Sequence, residues 1–465
     1  MNTTQKESNT FIIYCVEAIY LVMIILICNL IAIGFLSNFT FDLYHQGRYS
    51  EAFYNMWLKI ISGDIGIDRS VLAGETFIIN GKTVAYFLPF PALVRGFFSL
   101  IYIGQYPLPS FLLGISLYVI SVYFLFKEIL QLYSIKNIFN ILSAWFPLFV
   151  IPIITLFIES SIYWEAIIWG LSLFLLECLF FIKYLKNQKN TLNIYILFFI
   201  ASLSLFTRPT YAFASGVMLI LYSVNEFKHK RITVKNIPAI IIFLSALIML
   251  GVLNYQKWGS AFEFSPLKYH EQLIGTERGR LAELSPSISY KRIPEAVEYY
   301  FMIGNDNFIH KSPFIKPGNK ILPFSLEHFD YKEWYFSITL TMPIFLILSL
   351  FGIVNVFQKS PITKFKLIPI IVLAFVPCLL ALMLISMALR YKAEFYSFIL
   401  ITSMIGLCSI LVKFEKIEII KMISAPVLIL SVFFIINSTL LERHLFFQCK
   451  NINPIFICNW YENNK

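Results

Sequence analysis

"TLNIYILFFIASLSLFTRPTYAFASGVMLILYSV" runs from Thr191 to Val224, and its reading decides the fold. As one helix it would be ~50 Å long, at 1.5 Å per residue, against a hydrocarbon core of ~30 Å. Pro209 lacks a backbone N–H and disfavours helical backbone at Arg208. Lys183, Lys186 and Lys189 precede the stretch, and Lys228, Lys230 and Arg231 follow it. One span would put these two basic groups on opposite faces. Two short helices meeting at Arg208-Pro209 put both on one face, as the positive-inside rule requires. The stretch is therefore read as two spans, 192–207 and 209–224.

The same logic extends outward. The chain has 465 residues, of which 58% are hydrophobic and 14% charged. Soluble domains carry about 25% charge. Apolar runs of roughly 18 to 25 residues match a bilayer. The fold class is an all-α polytopic membrane protein with about 11 transmembrane helices. The remaining spans are 11–36, 110–130, 138–158, 165–184, 236–254, 336–356, 367–387, 395–412 and 423–440. The first run is too long for a signal-peptide core, and no small-residue cleavage site follows it, so it is a permanent span.

Val84–Gly104 is long enough to span but contains Pro89, Pro91 and Arg95. A mid-bilayer arginine costs on the order of 2.5–3.5 kcal/mol. Lying flat in the interface, the stretch leaves the Lys127–Lys136 loop in the cytoplasm. Short loops on one side then carry Lys127, Lys136, Lys183, Lys186, Lys189, Lys228, Lys230, Arg231, Lys235, Lys359, Lys364, Lys366, Lys413, Lys416 and Lys421. Those opposite carry Arg208, Arg390 and Lys392. The N-terminus is inside and the C-terminus outside.

The expected organisation is a transmembrane domain over 1–440, with long extracytoplasmic loops at 37–109 and 255–335, and an extracytoplasmic tail at 441–465. Interfacial helices are expected in the loops, one of them over 47–62. "TFIINGKTVAYF" (76–87) sets an Asn80-Gly81 turn between β-prone flanks, a hairpin signal. The net charge of +10 follows from the loop lysines and arginines, and nothing points to nucleic acid. Of seven cysteines, Cys15, Cys28, Cys178, Cys378 and Cys408 lie in apolar runs. Cys449 and Cys458 lie in the tail and could pair outside the cytosol. No CxxC or HExxH spacing occurs.

Ionisable residues cluster at the outer ends of spans: Asp42, Glu159, Glu165, Arg208, Arg390, Lys392 and Glu394. Each is a functional hypothesis at membrane depth. Interfacial cations also snorkel, and aromatics also form belts, so convergence is what favours function. His45 could act as a base, and Glu17 could bond a neighbouring helix. An acid at the membrane exit with cations at other span ends suits sugar transfer from a lipid phosphate. A carboxylate takes the acceptor's proton, and cations stabilise the departing phosphate.

The layout resembles the GT-C superfamily, the membrane glycosyltransferases that use lipid-phosphate sugars. The resemblance covers most of the chain. It rests on the early acid Asp42, on "FYNMWLKIISG" (53–63), "NGKTVAYFLPFPALVRG" (80–96), "YWEAIIWG" (163–170), "FTRPTY" (206–211) and "LRYKAEF" (389–395), and on a large loop after the seventh span. It implies that Asp42 is the catalytic base, on the extracytoplasmic face of the cytoplasmic membrane. Asp-Leu stands where several subfamilies have Asp-Glu, which leaves Asp64, Asp68 and Glu75 as alternative acids. Asp64 and Asp68 would also be the place for a divalent ion, but no metal and no cofactor is expected. Arg208, Arg390, Tyr391 and Lys392 are expected at the lipid phosphate or acceptor, with Glu165 orienting the acceptor or an arginine. The expected partners are a polyprenyl-phosphate sugar donor, a cell-envelope glycan or glycolipid acceptor, and membrane lipids. An O-antigen polymerase or ligase is the competing enzyme, though these lack a long loop after the first span. A transporter is the third alternative, disfavoured by the absence of repeats and of unwound, acid- or Gly-rich helices at mid-bilayer.

Overall fold

A computed structural model describes residues 3–135, 137–229, 234–303, 329, 331–332, 336–358, 361–413 and 417–451. The architecture is mostly helical. Helix α1 (Thr3–Leu36) leads into a first long loop that holds α2 (Ala52–Ile61), α3 (Arg69–Leu72), strands β1 (Phe77–Ile79) and β2 (Lys82–Val84), and α4 (Phe90–Ser99). Six helices follow: α5 (Pro107–Leu132), α6 (Ile138–Val150), α7 (Ile162–Lys186), α8 (Thr191–Ser204), α9 (Pro209–Lys228) and α10 (Ile237–Trp258). The second long loop holds α11 (Glu277–Leu284), α12 (Ile293–Phe301), the two-residue strand β3 (Tyr331–Lys332) and α13 (Ile338–Thr341). Last come α14 (Pro343–Val356), α15 (Pro361–Met383), strand β4 (Ser386–Met387), a 3-10 helix over Leu389–Phe395, α16 (Tyr396–Lys413) and α17 (Ile417–Asn451).

Eight helical segments among the described residues are long and apolar enough to cross a membrane, and the chain is an integral membrane protein on that composition. The shorter apolar helices α8 and α14, together with α9, occupy the other three expected spans. The expected break at FTRPTY is present. α8 stops at Ser204, Arg208 is extended at φ −147° and ψ 145°, and Pro209 opens α9 at its first position. The span expected at 336–356 is itself divided at Met342-Pro343. The last helix passes the tail boundary expected at 440 and continues to Asn451. Cys458, and the side chain of Cys449, lie outside the described residues, as do Lys136 and most of 304–335.

Small residues set the helix packing, as membrane interiors favour. α14 and α16 touch backbone to backbone at Gly352 and Gly406. A Cβ at either glycine would lie 2.0 Å from a carbonyl oxygen of the other helix. Ser349 and Thr402 share a 2.6 Å hydrogen bond across the same seam. α7 is the most enclosed span, packed against α5, α8, α9 and α15.

The first long loop is a structured platform. The hairpin pairs Phe77 with Val84 and Ile79 with Lys82, with Asn80 and Gly81 at φ 50° and 78°. α4 has ten residues, ~15 Å of helix, too short to span a bilayer. It packs on α2, where the Trp57 ring fills the space beside Gly96. Leu93 and Phe97 on the helix, and Leu100, Ile101 and Tyr102 in the turn after it, are exposed, the pattern of a segment lying at an interface.

Candidate active site

Three groups of side chains build the ends of the spans. The first surrounds Asp42. The backbone leaves α1 through a turn in which Asn38, Phe39 and Phe41 have φ of 58°, 62° and 56°. Left-handed backbone is rare for a phenylalanine and persists only where its surroundings enforce it. Asp42 is exposed, and its Oδ1 accepts a 2.8 Å hydrogen bond from the Tyr44 amide. His45 Nε2 lies 3.3 Å from Asn38 Nδ2.

The second group fixes the loop to α7. Arg95, wholly buried on α4, donates Nε to Glu165 Oε1 at 2.9 Å and Nη2 to Oε2 at 2.6 Å. Two more of its hydrogens reach the carbonyls of Ser50 and Gly104, each at 3.2 Å. A bidentate pair with further hydrogen bonds is the geometry in which a buried ion pair offsets its desolvation. The Arg48 amide donates to Glu159 Oε1 at 3.1 Å. Gly47 lies so close to Ser160 that a Cβ would meet its Oγ at 2.5 Å.

The third group is the convergence itself. Arg390 stacks over the Tyr163 ring at 4.5 Å and faces Tyr391 at 5.4 Å. Arg208 lies 5.6 Å from the same Tyr391 ring and 2.8 Å from Glu394 Oε1. Thr210 Oγ1 donates to Glu394 Oε2 at 2.8 Å. Glu75 sits 3.6 Å from His270 Nε2. Burial pushes the Glu75 carboxyl up, but hydrogen bonds from His270 and Tyr163 and the charges of His270 and Arg390 outweigh it, holding it at about 2. Tyr86 stacks on Phe87 at 4.2 Å, and burial raises its hydroxyl above the ordinary value. The buried Lys257 ammonium donates to Phe87 O at 2.8 Å and Ala85 O at 3.0 Å, gripping both carbonyls that flank Tyr86. These elements bring two guanidiniums, two carboxylates and three tyrosines together where helices α7, α9, α10 and α16 begin or end.

No protein-family model matches this chain. No curated protein is significantly similar to it. Among solved structures, it is similar to the apo oligosaccharyltransferase of Archaeoglobus fulgidus at 12% identity and a TM-score of 0.47, covering 93% of this chain and 58% of that one. The archaeal oligosaccharyltransferase AglB, in complex with an inhibitory peptide and a dolichol-phosphate, is similar at 14% identity and a TM-score of 0.38, over 91% of this chain and 56% of that one. The chain thus spans less than two thirds of the length of either.

Of the residues expected from sequence, Arg208, Arg390, Tyr391 and Glu75 lie together. Asp42 occupies the separate turn at the end of α1, where its side chain accepts from the Tyr44 amide; seven residues further on, the Tyr49 ring lies 6.3 Å from that of Tyr163. Lys392 is buried and paired with Glu442 of α17. Glu165 has both oxygens on Arg95. Asp64 accepts from the Gly66 amide at 3.0 Å. Asp68 is bonded by Lys59 at 2.7 Å and Asn55 at 2.6 Å, and these bonds hold its carboxyl below the usual range. Among the described residues, no three His, Cys, Asp or Glu side chains meet as a metal site would require.

Nothing in the sequence alone marks Tyr86, Tyr163, Lys257 or His270 as site residues. Tyr163 stood two residues from Glu165 in YWEAIIWG. Two helical residues apart means about 200° around the axis, so the two must face different partners. His270 and Lys257 carry no local signal, because they reach the site only when the second loop folds over the first.

Proposed function

We propose that this protein is a glycosyltransferase. It moves a sugar from a polyprenyl-phosphate donor to a cell-envelope glycan or lipid acceptor on the extracytoplasmic face of the cytoplasmic membrane. The observation that carries this reading is the pairing of Arg208 and Arg390 around Tyr391 at helix ends, beside the first-loop carboxylate Glu75. Guanidiniums present a planar fork suited to phosphate oxygens. In this reading the chain makes eleven crossings, with its N-terminus inside and its C-terminus outside.

The reaction is a single displacement. The acceptor hydroxyl oxygen attacks the anomeric carbon, and its proton passes to a carboxylate. The carbon–oxygen bond to phosphate breaks, and its electron pair leaves with the lipid phosphate, so the configuration inverts. Arg390 and Arg208 stabilise the charge that grows on the phosphate. Of Asp42 and Glu75, Asp42 suits the base. A carboxyl held at about 2, like that of Glu75, is a weak proton acceptor and serves better to orient hydroxyls. Glu165 acts on the site through Arg95, and Lys392 through Glu442.

The test is the fate of the donor. Membranes from a deletion strain should accumulate a polyprenyl-phosphate sugar, resolved by lipid mass spectrometry, that returns to the parental level on complementation. An unchanged polyprenyl-phosphate profile would refute the reading.

A further inference from the structure

The end of α17 falls in the stretch expected as an extracytoplasmic tail, yet Glu442 and Arg443 are buried and grip two different segments. The Arg443 guanidinium donates Nη1 to the Phe35 carbonyl at the end of α1 and Nη2 to Asn38 Oδ1. It also lies 5.9 Å from the Phe35 ring and 5.6 Å from the Phe39 ring. Phe35 and Asn38 bracket the start of the turn whose left-handed residues, Asn38, Phe39 and Phe41, lead to Asp42. Its other interactions aside, this one side chain satisfies a carbonyl at the helix end and lies over one aromatic ring of that helix end and one of the turn. Glu442 points to the other neighbour. It pairs with Lys392, inside the Leu389–Phe395 helix that carries Arg390 and Tyr391. Successive side chains on a helix diverge by about 100°, so two adjacent residues of a helix lodged between the segments reach one each.

We propose that Arg443 and Glu442 are positioning residues that lock the α1 exit turn and the Leu389–Phe395 helix onto one strut, α17. Arg443 enforces the turn that presents Asp42, and Glu442, through Lys392, fixes the backbone that presents Arg390. The consequence for sugar transfer rests on the function proposed above, whereas the locking itself does not.

Hydrogen exchange on the full-length, detergent-purified protein tests this directly. In Arg443→Gln, amides of residues 36–45 should exchange roughly tenfold faster than in wild type, with 389–395 unchanged. In Glu442→Gln the pattern should reverse. Arg443→Lys keeps the charge and a donor but loses the fork, so it should fall between wild type and Arg443→Gln. It also serves if Arg443→Gln does not fold. Unchanged exchange at 36–45 in either Arg443 variant, or a uniform rise along the chain, would overturn the proposal. The glycan readout is separate. Arg443→Gln should lower product as Asp42→Asn does. If Asp42→Asn transfers normally while the exchange pattern holds, the assignment of the base fails and the strut stands.

Discussion

Asp42 and Glu75 are two carboxylates on one loop in opposite surroundings. Glu75 is enclosed by Tyr163, His270 and Arg390, whereas Asp42 is exposed on a strained turn. Its low folded value gives Glu75 a defined pH signature. The carboxyl falls from an ordinary 4.5 to about 2 on folding, so its stabilisation is present above about pH 4.5 and is lost as pH drops toward 2. The gap corresponds to roughly 3 kcal/mol at most. Thermal melts in detergent should show wild type losing more stability than Glu75→Gln between pH 5 and pH 3, and parallel curves would contradict the assignment. The Arg95–Glu165 pair makes a second residue-scale prediction. Arg95→Met leaves a buried carboxylate unpaired and should cost roughly 3–5 kcal/mol, whereas the double variant Arg95→Met/Glu165→Met should recover much of it. Equal melting temperatures for single and double variants would show that the pair is not the loop's anchor.

At the scale of elements, periodicity and proline placement were legible. The break at Arg208-Pro209, the Asn80-Gly81 hairpin and the non-spanning α4 all follow from local chemistry, and all are present. Charge at span ends was also legible, because few charged residues lie near hydrocarbon. The pairing of those charges was not. Lys392 looked like a phosphate contact until α17 supplied Glu442. Glu165 was expected to orient the acceptor or an arginine, but nothing local marked Arg95 of α4 as that arginine. Pairs separated by 50 and 70 residues depend on how elements pack, which no local pattern records. The proposed sidedness is testable here. A cysteine replacing Tyr102, exposed in the turn that follows α4, should react with an impermeant maleimide in intact cells. A cysteine replacing Lys189, between α7 and α8, should react only after permeabilisation. The reverse pattern would invert the topology.

Across the whole molecule, the two long loops form one assembly. The Glu271 amide donates to Thr76 O at 2.9 Å, and Glu271 also receives Arg69 Nε at 2.6 Å and the Thr76 hydroxyl. Phe77 bridges to His270 on the same edge. This docking brings His270 to Glu75 and, with Lys257 at Ala85 and Phe87, completes the cluster around Arg390. Arg69→Glu should weaken transfer by loosening the second loop, and Arg69→Glu/Glu271→Arg should restore it. Failure of the exchanged pair to restore product would mean the loops do not act together.

The central claim is that this assembly transfers a sugar from a lipid phosphate using a first-loop acid. The most direct measurement is mass spectrometry of envelope glycans and glycolipids from a deletion strain, alone and expressing wild type or Asp42→Asn at matched levels. The account predicts a sugar that disappears on deletion, returns with wild type and stays missing with Asp42→Asn. Identical glycans in all strains would contradict the transferase, and full restoration by Asp42→Asn would contradict its base.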